Sequence, residues 1–343
     1  MALTRRIFLC TLPLCVGILS ACSPSLHDSS SSDESRELFS ITSAGPRAPT
    51  ILVFMPDTTQ TQQVLSGLRD ELGKDYRLVA LRVDASSPPS VIEGALKRYA
   101  PAGLVLMNNP TVSAYKAVQR SHPEMRFPPA VVVMTSFLET QAAELRGTTG
   151  ISYEVPLITA MTNLRRLLAL PSERVGVVGR AGLRAYIHRQ IELCALEKIP
   201  VVTEEVSQRP NPSELKRAIR RLKQRVDVIW IMNDDKLLTP RLISEGWMPG
   251  LDERPWLPSI VGAASLVSAR SNLGTFAVLP DHVALGSQAA GMLLDIADDD
   301  WQVPSGHGID LPLSTTTTID LAQTEERFTL KTDALQQVDR IVK

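Results

Sequence analysis

Cysteine, aromatic residues and long apolar runs are all scarce in this chain, and each scarcity excludes something. Of four cysteines in 343 residues, Cys10 and Cys15 fall in a short apolar segment near the amino end. No disulfide framework can be built from what remains, so stability must come from a packed core, for which 44% hydrophobic residues suffice. Aromatic residues make up 5% of the chain, little material for a box that stacks on a ligand. The apolar run from Ile7 to Leu19 is shorter than the roughly 20 residues a membrane-spanning helix needs. Charge is nearly balanced, with 36 Lys and Arg against 37 Asp and Glu and a formal net charge of −1. There is no basic stripe, so nucleic acid is not an expected partner. Zinc spacings, a phosphate loop and a nucleophile elbow are also missing. Gly176, Gly179 and Gly182 do not meet the three-glycine dinucleotide spacing, and His27, His122, His188, His282 and His307 show no metal-ligand spacing. No cofactor, metal or enzymatic activity is expected. Cys194 lies in a helical stretch and reads as a buried, inert thiol.

The amino end is the most informative segment that is present. Arg5 and Arg6 precede the apolar run, which closes on Leu19-Ser20-Ala21-Cys22. A charged start, a short apolar stretch and small residues at the break describe an export signal. Leu-Ser-Ala-Cys resembles the lipobox of bacterial lipoproteins, which implies that residues 1–21 are removed and that Cys22 is acylated and becomes the anchor. Removing Arg5 and Arg6 with the signal, and no acid, leaves a net charge of −3. Thr4-Arg5-Arg6-Ile7-Phe8-Leu9 is similar to the twin-arginine export motif, although paired arginines also serve ordinary secretion. Ser23 after the cysteine is compatible with an outer-membrane location, and the leaflet stays open. Residues 22–48 are rich in Ser, Asp, Glu and Pro and read as a flexible tether.

From Thr50 onward, short apolar runs alternate with amphipathic stretches. Strands are expected at 51–55, 77–83, 103–107 and 130–134, with helices at 59–72, 89–99 and 111–120 between them. Continuous β-branched runs indicate strands covered on both faces, and strand-helix repetition indicates parallel sheets. The rhythm restarts at Arg174, with strands at 175–178, 201–206, 226–232 and 257–261 and helices ending at 197, over 212–223 and over 237–245. The expected architecture is α/β: two Rossmann-like lobes with parallel sheets, joined by crossover strands at a hinge. Lobe 1 is assigned residues 49–155 plus 274–300, and lobe 2 residues 156–273 plus 301–343. The strand at 275–279 and the helix at 284–297 are read as returning to lobe 1, and the closing strands near 309–319 as finishing lobe 2.

Several stretches resemble one family. Thr149-Gly150-Ile151-Ser152-Tyr153-Glu154-Val155-Pro156-Leu157 is similar to the "TGVS" segment and following helix of ABC-transporter solute-binding proteins. Residues 171–178 resemble the opening strand of their second lobe, and Ile229-Trp230-Ile231-Met232-Asn233-Asp234 resembles the acidic strand end that follows. Residues 273–286, Leu-Gly-Thr-Phe-Ala-Val-Leu-Pro-Asp-His-Val-Ala-Leu-Gly, resemble the "GALFALYPDY…LG" block, with His282 where many relatives carry Tyr. The resemblance spans most of residues 50–320, and its subgroup includes aromatic-amino-acid binders. It implies the type I periplasmic binding protein fold, a small-molecule ligand, an ABC permease as partner, a lipid-anchored monomer outside the cytoplasm and hinge closure on the ligand. A sensor or envelope-complex partner on the outer membrane would use the same body without transport.

In open parallel sheets, ligands sit beyond the carboxyl ends of the strands. This selects Thr58, Thr59, Asn109, Thr111, Thr135 and Ser136 in the first lobe, and Arg180, Asn233, Asp234, Asp235 and Ala264 in the second, with Asp281 at the hinge. Thr58, Asn109 and Asp281 are equally good helix caps, and helix starts facing a cleft also favour anions. Of Asp234 and Asp235, one is expected to hold an ammonium or hydroxyls of the ligand and the other to cap the next helix. Arg180 is open to an acidic ligand or to solvent. The expected ligand is a small polar molecule, with an amino acid the leading candidate.

Overall fold

A computed structural model describes residues 37–41, 45, 47–169, 173–267, 273–303 and 308–342. The expected signal, the lipidation site Cys22 and most of the tether lie outside the described residues. The strands in chain order are β1 (Glu37–Ile41), β2 (Thr50–Met55), β3 (Arg77–Arg82), β4 (Gly103–Met107), β5 (Ala130–Val133), β6 (Thr148–Ile151) and β7 (Val175–Arg180). They continue as β8 (Val201–Val206), β9 (Val228–Ile231), β10 (Ser259–Val261), β11 (Phe276–Pro280), β12 (Ile309–Asp310), β13 (Thr315–Asp320) and β14 (Arg340–Val342). The helices are α1 (Thr59–Leu72), α2 (Ser90–Tyr99), α3 (Asn108–Ser121), α4 (Leu138–Ala142), α5 (Leu157–Leu167), α6 (Arg184–Leu196) and α7 (Pro212–Lys223). Next comes α8, in which α-helical Pro240–Leu242 and Met248–Asp252 flank a π-turn at Ile243–Trp247, and then α9 (His282–Asp298) and α10 (Leu321–Arg327).

Two sheets organise these elements, in the orders β1-β3-β2-β4-β5-β6-β12 and β14-β13-β11-β10-β9-β7-β8. Within them all pairings are parallel except β1 with β3 and β11 with β13. Side-chain alternation splits the first lobe into two cores. Ile51, Val53 and Met55 face α1 and α9, while Leu52 and Phe54 face α2 and α3. Lobe 2 repeats this with Val175 and Val177 against α5 and α6, and Val178, Ile229 and Ile231 against α7 and α8. Local chemistry sets the helix starts. Thr58 and Thr61 form a reciprocal capping box at α1, and the Asn211 side chain accepts the Glu214 N–H at 2.9 Å just before Pro212 opens α7.

Three expectations are corrected by the topology. Glu37–Ile41 is not tether: it pairs antiparallel with β3, which bonds its exposed edge to a partner. Phe276–Pro280 does not return to the first sheet; it lies between β10 and β13 in the second. Thr275 holds it there, its Oγ1 accepting the Ser259 N–H at 3.2 Å. Only the helix crosses over, because Gly67 of α1 and Gly286 of α9 let two backbones touch. A Cβ on either would lie 2.1 Å from a carbonyl oxygen of the other helix. Finally, the closing strands divide: Ile309–Asp310 extends the first sheet beside β6, and Thr315–Asp320 joins the second. The chain therefore passes between the sheets at 152–156, at 281 and at 311–314, and these passages form the hinge. The helix expected at 237–245 begins later, at Pro240, because the Thr239 hydroxyl accepts the Leu242 N–H.

Candidate functional site

The carboxyl ends of β4 and β5 face those of β7, β9 and β10 across a cavity of about 630 Å³. Six of the expected residues meet there: Asn109, Ser136, Arg180, Asn233, Asp234 and Asp235. Asn109 Oδ1 accepts the Ser136 N–H at 2.9 Å, which ties the β4 and β5 ends together. Asn109 is thus not the cap of α3; in the first turn Asn108 Oδ1 accepts the Thr111 N–H at 3.3 Å. Ser136 Oγ in turn accepts a hydrogen bond from Asn233 Nδ2 at 2.9 Å, a contact from one lobe to the other. The first-lobe rim is strained. Asn108, Met134 and Phe137 have φ of 77°, 56° and 53°, and only asparagine takes that region easily.

Charge on the second-lobe wall is settled internally. Arg180 grips Asp234 through two bonds of 2.7 Å, Nε to Oδ2 and Nη2 to Oδ1, and its Nη1 donates to Gln208 at 2.9 Å. The Asp234 side chain is 1% exposed and that of Arg180 14%. The bonds to Asp234 raise the Arg180 pKa. Arg180 is therefore paired internally rather than solvated, and Asp234 already holds a cation within the wall. Asp234 also accepts the Lys236 N–H at 3.0 Å. Asp235 caps no helix; it pairs with Lys236 at 2.8 Å, with both side chains mostly in solvent.

The other expected residues stand outside this cavity. Thr58 and Asp281 serve as caps, the carboxylate of Asp281 accepting the N–H groups of Val283 and Ala284. Thr59 is exposed on α1. Thr111 is buried and donates to the Met107 carbonyl at 2.8 Å, and Thr135 is buried beneath the β5 end. Ala264 packs on the second-lobe core, while its neighbours Ala263 and Ser265 line the cavity. Cys194 is buried, which pushes its thiol up to about 11, as an inert residue requires.

Sequence reasoning anticipated a hinge but missed the side chains that meet there. Phe137 and Tyr186 meet edge to face across the lobes with centroids 5.1 Å apart, and Glu139 pairs with Arg189 beside them. Behind this bridge Glu154 accepts the Phe137 N–H on both carboxylate oxygens, at 3.1 and 3.0 Å. Burial pushes its carboxyl up to about 7. Tyr153 Oη and His282 Nε2 are 3.0 Å apart at the crossover, and burial lowers the His282 pKa. One signal was legible: Glu154 is a lone acid between Tyr153 and the apolar Val155-Pro156-Leu157. Among the described residues no group of three or more His, Cys, Asp or Glu could hold a metal ion, and no helix is long and apolar enough to cross a membrane.

Comparison with known proteins rests on structure. No family model and no curated protein matches the sequence. Among solved structures, a ligand-free, open substrate-binding protein with adhesive properties from Clostridium difficile superposes with a TM-score of 0.61 at 11% identity, covering 86% of this chain and 99% of that one. The ABC domain from Streptococcus pneumonia, solved with L-Trp, gives 0.54 at 13% identity, covering 85% and 100%. A conserved domain protein from Vibrio cholerae gives 0.54 at 16%, covering 86% and 99%. The fold is the type I periplasmic binding protein fold, two parallel-sheet lobes around a cleft.

Proposed function

We propose that this chain is an extracytoplasmic solute-binding protein, moored to a membrane through acylated Cys22, which captures a small polar ligand between its lobes and presents it to an ABC importer. The observation that carries this reading is the 630 Å³ cavity at the facing strand ends, a size suited to a small metabolite. Its walls are mixed: Phe137, Leu183, Leu238 and Leu266 offer apolar contact, Asn109, Ser136, Thr140, Gln141 and Asn233 offer neutral hydrogen-bonding groups, and Asp235 with Lys236 offers one exposed charge of each sign. Such a wall suits polar small molecules, with amino acids first in a screen. An aromatic ligand has only Phe137 to stack on among the described lining residues. Ligand contacts to both lobes favour the closed state through differential affinity, and a membrane partner reads that state. A cleft plugged by its own apolar side chains would have favoured an assembly role; an open cavity with hydrogen-bonding groups on both walls supports capture or sensing.

Native mass spectrometry of the purified protein should show a co-purified small molecule. A thermal-shift screen of amino acids and other polar metabolites should then find a ligand whose shift is lost in Asn109→Ala. No bound species and no shift across such a screen would overturn the reading.

A further inference from the structure

We propose that Glu154 is a positioning residue of the cleft: from the crossover at 152–156 it grips the Phe137 N–H, and so sets the Phe137 ring both as a wall of the large cavity and as a brace against the second lobe. Among the described residues, Phe137 lines the large cavity and Glu154 does not, so Glu154 acts there only through Phe137. The proposal rests on capture in the large cavity only where it calls Phe137 a wall of the ligand site.

The backbone of Phe137 needs holding. It stands in the left-handed region, with φ 53° and ψ 50°, which a bulky residue adopts only under strain. Such a conformation persists where its surroundings over-determine it. Here two successive amides are gripped by side chains from elsewhere in the chain. Asn109 Oδ1 accepts the Ser136 N–H at 2.9 Å, and the two oxygens of Glu154 accept the Phe137 N–H at 3.1 and 3.0 Å. Asn109 belongs to α3, inside the first lobe. Glu154 belongs to a passage between the lobes, so its tie is the one that follows the hinge. The Phe137 carbonyl then accepts the N–H groups of Thr140 and Gln141 at 2.9 and 3.1 Å, which starts α4.

The ring leaves its own lobe. Phe137 packs on the second-lobe core, edge to face with Tyr186, and the Tyr186 ring lies 6.1 Å from that of Trp230 on β9. A Phe137 relaxed to negative φ would re-aim its Cβ and withdraw the ring from this row. The Glu154 carboxylate is free to make the tie, having no ion-pair partner among the described residues, and a charged acceptor makes the stronger hydrogen bond. The titratable groups around it are otherwise engaged. Glu139 of α4 pairs with Arg189 of α6, Tyr153 Oη is bonded to His282 Nε2, and Asp281 caps α9. The Tyr186 phenol, raised well above its usual value by burial, stays neutral. Burial holds the Glu154 carboxyl up to about 7, so the tie changes strength within an accessible pH range.

The test has two arms, and neither needs a ligand. In amide NMR spectra of the purified protein, the Phe137 resonance should titrate with a midpoint of about 7. It should stay flat over that range in Glu154→Gln, which keeps an acceptor but loses the proton. In small-angle scattering above that midpoint, Glu154→Leu and Phe137→Ala should each enlarge the radius of gyration, while Glu154→Gln restores the parent value. The double variant Glu154→Leu, Phe137→Ala should match Phe137→Ala alone, because one residue acts through the other. A Phe137 resonance that does not titrate, or titrates equally in Glu154→Gln, would overturn the proposal. So would a parent radius in a folded Glu154→Leu, or a double variant larger than Phe137→Ala. If Glu154→Leu folds poorly, an unchanged radius in Phe137→Ala overturns the brace by itself. Failure to find any ligand would sink capture and leave both arms readable.

Discussion

The two cavities of the cleft treat charge in opposite ways. The large one has its deepest charges already paired: Asp234, almost wholly buried, is clamped by Arg180, and Asp235 and Lys236 neutralise each other in solvent. Among the described residues, the Glu154 carboxylate at the hinge cavity has no counter-charge, and the enclosed Tyr186 hydroxyl nearby has no partner. A wall with settled charges is preorganised and discriminates by shape and neutral hydrogen bonds. A wall with an unsettled charge costs stability until something neutralises it. The same fold thus places a rigid recognition surface beside a spot that titrates.

The largest expected effect tests the settled side. Asp234→Ala leaves the Arg180 guanidinium partly buried without its carboxylate, and losing one member of such a pair costs about 3–5 kcal/mol. Urea denaturation should show that loss. The double variant Arg180→Met, Asp234→Leu should recover most of it, since an apolar pair can replace a buried ion pair. Asp234→Ala therefore cannot serve as a clean ligand-binding variant, because it damages the wall itself. Recovery absent from the double variant would show that the pair's weight lies in its further bonds to Gln208 and the Lys236 N–H.

The next effect belongs to the unsettled side. The Glu154 carboxyl has its ordinary value near 4.5 in the unfolded chain and about 7 in the folded one. Between these values the folded state holds the proton more tightly. The contribution of this carboxyl to stability is then greatest below about pH 4.5, falls as pH rises, and levels off above about pH 7, by an amount on the order of 3 kcal/mol. His282 acts in the opposite sense: its lowered folded pKa makes stability rise as pH climbs toward 6.5. Comparing melting curves of the parent and Glu154→Gln across pH 4.5–8 isolates the carboxyl. The variant should lack the falling limb and be the more stable form above pH 7. Parallel curves would show that Glu154 is solvated and remove the contrast between the cavities.

How much of this was legible before the fold was known follows from range along the chain. The central strands could be read because residues such as Ile51–Met55 and Val175–Val178 are continuously apolar, as two-sided burial demands. The cleft positions Asn109, Ser136 and Asn233 followed from the rule that ligands sit at strand ends. The sheet that owns Phe276–Pro280 could not be read, since an apolar run looks the same in any central strand. β1 was hidden because Glu37–Ile41 directly follows a polar tract. The Arg180–Asp234 clamp joins residues 54 positions apart; it needed the adjacency of β7 and β9, which strand order alone reveals. Glu154 and Tyr186 line one cavity only because the chain crosses between the lobes at 152–156, and no local pattern records that.

A smaller effect separates closure from folding. Asn233→Ala removes the bond to Ser136 Oγ, a direct hydrogen bond between the cavity's two walls. Its net worth is about 1 kcal/mol, small against global stability but a several-fold change in an open–closed equilibrium. Small-angle scattering of the unliganded protein should show a larger radius of gyration in Asn233→Ala, with the unfolding midpoint almost unmoved. Equal radii would mean that the hinge contacts, Phe137 with Tyr186 and Glu139 with Arg189, hold the lobes without help from the rim.

The smallest effect on stability is the most diagnostic for the ligand. Asp235 and Lys236 form an exposed pair, worth about 0–1 kcal/mol, so Asp235→Asn should leave the melting temperature nearly unchanged. Asp235 is nonetheless the solvated carboxylate of the large cavity wall among the described residues. Neutralising it changes what the cavity offers a cationic group without disturbing the Arg180–Asp234 clamp. If the captured molecule carries an ammonium that reaches this rim, its affinity should fall several-fold in Asp235→Asn and respond to salt, as an exposed charge contact does. An affinity that stays constant would assign recognition to the neutral amides and hydroxyls of Asn109, Ser136 and Asn233. It would also sharpen the division between a neutral recognition surface and a hinge that carries the titrating Glu154.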